Sequence, residues 1–475
     1  MSLVLRLSQG SALTYQQLDD NFTFITSSFV ANTSTGSFAI TGSNRFSGSQ
    51  YITGSLTNGE INYAVGLYSH AEGVTTTAIG QWSHVEGGNS TSVGAASHAE
   101  GNATKAISNY SHTEGYQTTT NGSYSHAEGS GSLSKGIGSH AEGNGAIAHG
   151  DYSHAEGNLT ISSGSYSHAE GAATTSIGSY SHTEGTQTTA TNQGSHAEGY
   201  LTVATSTASH TEGSGSLTVA GAYAHAEGAT TTAVGASSHA EGTSTTSKGQ
   251  ASHAEGLSSI SSGSYSHAEG NATLSIGIYS HTEGTTTTAV GSGSHAEGNL
   301  TKALGNYSHT EGISTTSIGS GSHAEGNNTI AVNSGTHAEG NTTTAIGSYS
   351  HAEGHLTTAV GLYSHVAGSG SITLGTGSFA FGIGLVASGA YQTVVGKNNT
   401  LGDSTSLFIV GTGVGKTEDG FKVTHSGSII MDPYNSAPTW TGKTGELVFY
   451  DNGAGTIRLY AWNSSGAAWK SASFA

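Results

Sequence analysis

The chain has 475 residues, of which only 9% are charged and 33% hydrophobic, with 73 glycines and 2 prolines. Typical globular domains carry about 25% charged and about 45–50% apolar residues, so this composition disfavours an enzyme built round one large apolar core. A balance of 12 basic against 31 acidic residues, net charge −19, disfavours nucleic acid as a partner because phosphate contacts need Lys and Arg.

Three further classes are disfavoured by local sequence. The near absence of proline and of a Gly-X-Y period excludes collagen. There is no cysteine, hence no disulfide framework or thiolate metal site. No run approaches the ~18 apolar residues of a membrane helix, and no signal peptide is visible, so we expect no membrane insertion.

Two short regions precede the main part of the chain. In residues 1–27, Thr14 and Gln17 form a capping-box pattern that predicts one short helix. Residues 28–59 contain Ser-Phe-Ala-Ile-Thr-Gly-Ser and similar stretches that predict short β repeats.

Residues 60–368 contain 22 copies of a His-Ala-Glu-Gly motif, from His70 to His365, at a spacing of 14. One step, from His210 to His225, has 15 residues and predicts a small bulge with rungs continuing on both sides. Glycine follows three residues after every histidine, and a second glycine usually lies four residues before it. Because glycine tolerates positive φ, we expect two turns and two short strands per period, which is one rung of a parallel β-solenoid.

The alternation along each rung predicts its faces. The positions one before, one after, six before and eight before the histidine are small, and we expect them to fill a thin interior. The position five before is aliphatic in 13 copies, and the position two before is aromatic in 13 copies. We expect the aromatic, the histidine and the glutamate to share one outer face.

Rungs ~4.8 Å apart would form a rod of about 100 Å. Such a thin roll buries so little surface that we infer oligomerisation.

After the repeats, residues 369–430 predict a β transition segment and residues 431–475 a C-terminal β module. The C-terminal aromatic residues predict either the core of this module or a receptor-contacting tip that binds glycans. These residues are Trp440, Tyr450, Tyr460, Trp462 and Trp469.

The repeat Thr-Thr-Ala-Ile-Gly-Gln-Trp-Ser-His-Val-Glu-Gly resembles the head repeats of trimeric autotransporter adhesins. The His-Ala-Glu-Gly version is similar to repeats of phage tail fibres, and residues 1–24 and the segments after the repeats resemble parts of phage tail proteins. This resemblance implies a homotrimer of left-handed parallel β-rolls, in which residues 1–27 attach the protein to the virion.

The His-x-Glu pair places both side chains on one face of a strand. Imidazole and carboxylate are common metal ligands, but a pair present in nearly every copy indicates architecture. We therefore expect a structural ladder with no metal, no cofactor and no catalytic role.

Since like charges ~4.8 Å apart repel, we expect His of one chain to hydrogen-bond Glu of a neighbouring chain at a subunit interface. The competing arrangement places the aliphatic face at the trimer axis and the ladder towards solvent. The predicted ladder residues are His70, Glu72, His84, Glu86, His98, Glu100, His154, Glu156, His267, Glu269, His351 and Glu353.

These features predict an all-β, non-enzymatic structural protein: a stiff trimeric fibre or spike of a phage virion that mediates or supports attachment to a host cell. The expected partners are further copies of the chain, tail or baseplate proteins, and a glycan or protein on the host surface. Two alternatives stay open: an exported bacterial surface adhesin, and an ice- or cation-binding β-solenoid.

Overall fold

The computed structural model describes residues 56–413, 419–431, 437–439, 441–444, 446–451, 457–463, 465 and 467–474. The predicted N-terminal segment 1–27, residues 28–55 of the predicted short β repeats, and Trp440 lie outside these residues. The described part is all β and forms a parallel β-solenoid of about 25 turns. The chain divides into two compact units, residues 1–185 and 186–475.

Each rung has one strand that begins at the motif histidine, here called the ladder strand, and one two-residue short strand. In the first unit the ladder strands and their equivalents are Leu56–Glu60, His70–Val74, His84–Gly88, His98–Asn102, His112–Thr113, His126–Ser130, His140–Asn144, His154–Asn158 and His168–Ala172, and His182–Thr186 ends at the first residue of the second unit. The short strands are Tyr63–Ala64, Thr77–Ala78, Thr91–Ser92, Lys105–Ala106, Thr119–Thr120, Leu133–Ser134, Ile147–Ala148, Ile161–Ser162 and Thr175–Ser176.

The second unit repeats this arrangement. Its ladder strands and their equivalents are His196–Tyr200, His210–Ser214, His225–Ala229, His239–Thr243, His253–Ala254, His267–Ala268, His281–Thr282, His295–Ala296, His309–Ile313, His323–Asn327, His337–Asn341, His351–His355, His365–Ser369, Phe379–Ile383 and Thr393–Lys397. Its short strands are Thr189–Ala190, Val203–Ala204, Leu217–Thr218, Thr232–Ala233, Thr246–Ser247, Ile260–Ser261, Leu274–Ser275, Thr288–Ala289, Lys302–Ala303, Thr316–Ser317, Ile330–Ala331, Thr344–Ala345, Thr358–Ala359, Ile372–Thr373 and Val386–Ala387.

Six further strands follow: Ser406–Thr412, Asp419–Thr424, Ile429–Met431, Leu447–Asp451, Ile457–Asn463 and Ala468–Phe474. The first of them pairs in parallel with Thr393–Lys397 and antiparallel with Asp419–Thr424. The last three form a separate antiparallel sheet.

Rungs stack in parallel with each residue opposite its equivalent in the next repeat, as in the pairs His126↔His140 and Glu128↔Glu142. The 15-residue step keeps this register, since His210 pairs with His225 and Leu217 with Thr232. The extra residue is accommodated in the turn, where Ala220 has φ 61° and Gly221 N–H bonds Val219 O at 2.7 Å. The predicted small bulge with continuing rungs is confirmed.

The interior is filled by small side chains, as the alternation predicted. Ala71, Thr76 and Ala78 are fully buried, and their equivalents along both units are buried too. The residue before the histidine, which is serine in all but two repeats, is also buried. In most repeats its hydroxyl donates to the carbonyl three residues earlier, as Ser139 does to Gly136 at 2.7 Å. This bond explains why a polar residue is kept there, since a buried carbonyl without a partner is costly.

The turns differ from the sequence prediction. Positive φ is found five residues after and two residues before the histidine, as at Thr75 (59°) and Trp82 (57°). The glycine three after the histidine has the predicted positive φ, 116° at Gly73, but it lies inside the ladder strand or just after it rather than in the turn. The glycine four before it, such as Gly136, has no positive φ, and a Cβ there would meet Gly150 O at 2.0 Å. Close backbone approach between rungs, rather than φ, therefore requires this second glycine.

Candidate functional site: the His–Glu ladder

The ladder strand points histidine and glutamate outward while the residue between them is buried, as in the pattern of His70, Ala71 and Glu72. Because rungs stack in register, the imidazole rings form parallel stacks with centroids 4.5–4.9 Å apart. His84, for example, lies between His70 at 4.7 Å and His98 at 4.6 Å. The backbone register thus produces the continuous array predicted from the repeat.

In most rungs the glutamate lies beside the histidine of the same rung, although no such contact within 4.0 Å is found for the predicted pair His84 and Glu86. The distance from His Nε2 to Glu Oε2 is 3.6 Å for His70 and Glu72, and 3.5 Å for His267 and Glu269. The other predicted pairs with such contacts are His98–Glu100 at 3.8 Å, His154–Glu156 at 4.0 Å and His351–Glu353 at 3.9 Å. These contacts are made within one chain, whereas the sequence had suggested pairing between chains. They are longer than a hydrogen bond.

The stacked rings are electrostatically compatible only if most of them are neutral. Burial, followed by the charges of His281 and His309, lowers the pKa of His295 to about 4. Burial and the neighbouring His140 and His112 likewise lower the pKa of His126. Neutral rings at pH 7 remove the like-charge repulsion that motivated the prediction of pairing between chains.

The glutamates show the complementary effect. Burial, together with a hydrogen bond to Glu114, raises the pKa of Glu128 to about 7. Burial and the negative charges of Glu241 and Glu269 also raise the pKa of Glu255. Neighbouring carboxylates therefore repel one another at Glu128 and at Glu255.

The nitrogen Nε2 of many ladder histidines is buried and has no hydrogen-bond partner among the described residues. His98, His126 and His140 are examples, although about a third of each of these side chains is exposed. In several places two successive histidines and the glutamate between them place three ligand atoms within 4.8 Å of one another, as with His98, Glu100 and His112. These are the residues that could hold a metal ion.

The aromatic residues do not lie on the ladder strand, contrary to the prediction that they share its face. Tyr110 and Tyr124 occupy the positive-φ position of the turn before the histidine, at 57° and 61°. Their rings stack with centroids 4.9 Å apart along the corner of the solenoid. The prediction assumed that the strand extended back to this position, whereas the turn occupies it.

The opposite sheet carries a second outer row, which includes the aliphatic position five before the next histidine that the sequence predicted as an outer face. Positions seven and nine after the histidine flank a buried residue on the short strand, as Leu274 and Ile276 flank Ser275. At least one of the two is aliphatic in 19 of the 22 repeats, and the exceptions are the rungs of Thr119, Thr189 and Thr246. Considering the two positions together therefore extends the predicted aliphatic row from 13 to 19 repeats.

The predicted C-terminal aromatic residues lie in the antiparallel sheet, except Trp440. Tyr450 and Tyr460 pack edge to face at 6.1 Å, as do Trp462 and Trp469 at 5.4 Å. Tyr460 is buried, so it belongs to the core of this sheet. A receptor-binding role for the other residues stays a prediction.

This geometry defines a class: a parallel β-solenoid with 14-residue rungs, a small-residue interior and two contrasting outer faces. Three segments of the chain match the YadA head domain repeat family, at residues 71–97, 311–332 and 338–364. The solenoid is therefore built from YadA-like head repeats. No curated protein matches the chain. In the part of the chain that the structure describes, no helix is long and apolar enough to cross a membrane.

Proposed function

We propose that the chain forms a homotrimer of left-handed β-rolls that associate through the short-strand sheet. The observation that carries this proposal is the apolar row on that sheet. Ile276, Val290, Leu304 and Ile318 occupy four successive rungs and are 39–45% exposed in the single chain. A monomeric soluble protein rarely exposes such a contiguous apolar row.

The interior of the single chain explains why association is needed. Its buried side chains are mostly alanine, serine and threonine, so each rung removes little apolar surface from water. Each exposed aliphatic side chain adds about 25 cal/mol per Å² on burial against a second copy. Because every copy of the chain carries the same apolar row with the same spacing between rungs, the rows of two copies can pack in register. Such packing suits a closed symmetric assembly.

This arrangement leaves the His–Glu ladder on the outer surface of the trimer. The His–Glu contacts favour this arrangement over the alternative, in which the ladder lies at the subunit interface. Histidine and glutamate already contact each other within one rung, as His168 and Glu170 do at 3.5 Å, so no second chain is required to pair them.

We infer an adhesin-like, mechanical role for the trimer: an extracellular fibre that holds its C-terminal β module at a distance and supports attachment to a surface. YadA-like head repeats support the adhesin-like fibre. The resemblance of residues 1–24 and of the segments after the repeats to phage tail proteins favours a virion as the carrier and a host cell as the target.

The interface is tested by sedimentation of the full chain and two matched variants. One carries Ile276→Lys, Val290→Lys, Leu304→Lys and Ile318→Lys. The control carries Glu269→Gln, Glu283→Gln, Glu297→Gln and Glu311→Gln, on the opposite sheet of the same four rungs. We expect the wild type and the control to sediment as trimers and the lysine variant to dissociate. Dissociation of the glutamine control alone would place the interface on the ladder.

The location is tested by gold labelling of purified virions with antibodies to residues 1–25 and to residues 431–475. Label on the particle, with the C-terminal signal farther out, is the expected result. Absence of both labels from virions would refute the phage role and favour an exported adhesin.

A further inference from the structure

We propose that the His–Glu ladder binds divalent transition-metal ions of the zinc type, each held by two successive histidines and the glutamate between them. Nothing in the adhesive role requires this activity, so the inference goes beyond the proposed function. It rests on ligand geometry, on buried ring nitrogens and on the chemistry of the donor set.

The spacing of the donors matches a tetrahedral ion. Bonds of 2.0–2.1 Å from zinc to nitrogen and oxygen place neighbouring ligand atoms about 3.3–3.4 Å apart. His126 Nε2 and Glu128 Oε2 are 3.7 Å apart, and His168 Nε2 and Glu170 Oε2 are 3.5 Å apart. These separations are too long for a hydrogen bond and are close to the edge of a coordination tetrahedron. Because a zinc ion lies in the plane of each imidazole that binds it, and successive rings such as His98 and His112 are stacked at 4.8 Å, one of the two rings must also rotate towards the ion.

The third ligand is supplied by the next rung. His112 joins His98 and Glu100, and the same grouping recurs at His112–Glu114–His126, His126–Glu128–His140, His140–Glu142–His154 and His154–Glu156–His168. Twelve further groups of His, Asp or Glu in the described residues also bring three ligand atoms within 4.8 Å of one another. Three protein ligands with an open fourth position are a familiar zinc arrangement.

The histidine nitrogens are available for such a bond. The Nε2 atoms of His98, His112 and His126 are buried, with no hydrogen-bond partner among the described residues. The glutamates are partly exposed, with 39% of the Glu100 side chain and 28% of the Glu128 side chain accessible. A rotation of the carboxylate can therefore open a route to the nitrogen.

The donor set also selects the ion. Imidazole nitrogen combined with carboxylate suits Zn²⁺, Ni²⁺, Co²⁺ and Cu²⁺, whereas Ca²⁺ and Mg²⁺ require oxygen ligands. Each Nε2 has one lone pair, so each histidine can serve one ion only. Three-ligand sites can then be filled in alternate rungs, which gives about one ion for every two ladder histidines. A positive ion on alternate rungs also relieves the repulsion within the carboxylate row.

The test uses the full-length protein, freed of metal by chelation and then titrated with ZnCl₂, with bound zinc counted by elemental analysis after desalting. A ladder variant carries His98→Gln, His112→Gln, His126→Gln and His140→Gln. A matched control carries His149→Gln and His425→Gln, two exposed histidines outside the ladder. We expect the ladder variant to bind about two fewer ions per chain than the wild type, and the control to bind the same number.

Two measurements separate metal binding from folding. Sedimentation and circular dichroism on the same samples report whether the trimer and the solenoid persist. A second variant, Glu100→Gln with Glu114→Gln and Glu128→Gln, keeps the histidine stack and removes only carboxylate ligands. With Co²⁺ as the probe, we expect visible d–d absorption in the wild type and a weaker signal in this variant.

Three results would overturn the inference: no zinc bound by the intact wild-type trimer at millimolar concentration, an equal zinc content in the ladder variant, or Ca²⁺ bound as well as Zn²⁺. Each leaves the trimer proposal untouched, because trimer formation is read by sedimentation. Dissociation of the wild-type chain would refute the trimer without affecting the count of bound zinc.

Discussion

The repeat rungs of the second unit and its closing rungs, residues 379–424, use the same backbone but different interiors. In the repeats of this unit the buried side chains are alanine, serine or threonine, apart from Val366. In the closing rungs Leu385 and Asn399 occupy positions that hold threonine or serine in the repeats, Gln392 replaces the serine before the histidine, and Val394 replaces the alanine after it. All four are fully buried.

The closing rungs also make individual polar contacts that no repeat makes. Gln392 donates from its amide to Asp403 O at 2.8 Å and to Ser406 O at 2.9 Å. Lys422 lies 2.6 Å from Asp419 and 3.2 Å from Asp403. Asp419 Oδ1 also accepts a hydrogen bond from Thr400 N–H at 2.9 Å.

The difference follows from the position of each region in the stack. An inner rung has identical neighbours on both sides, so the same small side chain fits the interior of every repeat. The last rung has an unpaired edge, which must be protected. The antiparallel strand Asp419–Thr424 covers this edge, and the buried Asp–Lys cluster fixes it in place.

The largest expected effect is therefore in the closing rungs. Lys422→Met removes the cation beside Asp419, whose side chain is only 1% exposed. Leaving buried carboxylates unpaired costs about 3–5 kcal/mol in the free energy of unfolding. Denaturant unfolding measures this loss, and the exposed Lys397→Met serves as the control. An equal, small loss for both variants would remove the distinction between the two regions.

The large side chain of the closing core gives the next effect. Leu385→Ala leaves a cavity where the repeats need none, with an expected loss of about 3 kcal/mol. Leu401→Ala, at a residue that is 48% exposed, should cost well under about 1 kcal/mol. Urea midpoints of the two variants provide the comparison. Similar midpoints would contradict the assigned role of Leu385.

In the repeats we expect backbone approach to be the sensitive feature. Gly326 has φ 105°, and a Cβ there would meet Gly340 O at 2.1 Å, so Gly326→Ala should cost about 2–3 kcal/mol. In the same rung, a Cβ added at Gly321 would have no atom within 4 Å, and alanine occupies the equivalent site at Ala208 and Ala251 with φ 52° and 51°. Gly321→Ala should thus be nearly neutral, and thermal melting distinguishes the two.

The smallest effect concerns pH. Burial and neighbouring histidines lower the pKa of eleven ladder histidines below the unfolded value of 6.5, and that of His295 falls to about 4. As pH falls from 6.5 towards 4, the unfolded chain binds more protons, and the solenoid loses stability. The raised pKa of Glu128, about 7 against 4.5, acts in the opposite direction over pH 7 to 4.5. Lowered histidines outnumber raised glutamates among the described residues, so the net effect is destabilising.

Melting curves at pH 7.5 and 5 test this expectation, and the four-histidine ladder variant should show a flatter dependence. The cluster of Asp403, Asp419 and Lys422 in the closing rungs should lose stability only in stronger acid. Burial alone would raise the pKa of Asp403, but hydrogen bonds from Ser406, Thr405 and Lys422 together hold it below its ordinary range. A rise in melting temperature on acidification to pH 5 would contradict the histidine assignment.

The sequence by itself determined the period, the parallel rungs, the small interior and the tolerance of the 15-residue step. These features follow from local alternation and from the fact that a repeat pairs with its own copy. The outward placement of His126 and Glu128 also followed from their spacing along one strand.

Only the tertiary structure decided which atoms meet between rungs. It placed Tyr110 on a corner and brought histidine and glutamate together within one chain. It also showed that residue 136 must be glycine, because a Cβ there would clash with the carbonyl oxygen of Gly150. It also assembled Asp403, Asp419 and Lys422, which no spacing rule connects. The physical reason is that alternation specifies the side of a strand on which a residue lies, whereas distances between rungs depend on the stacked backbone as a whole.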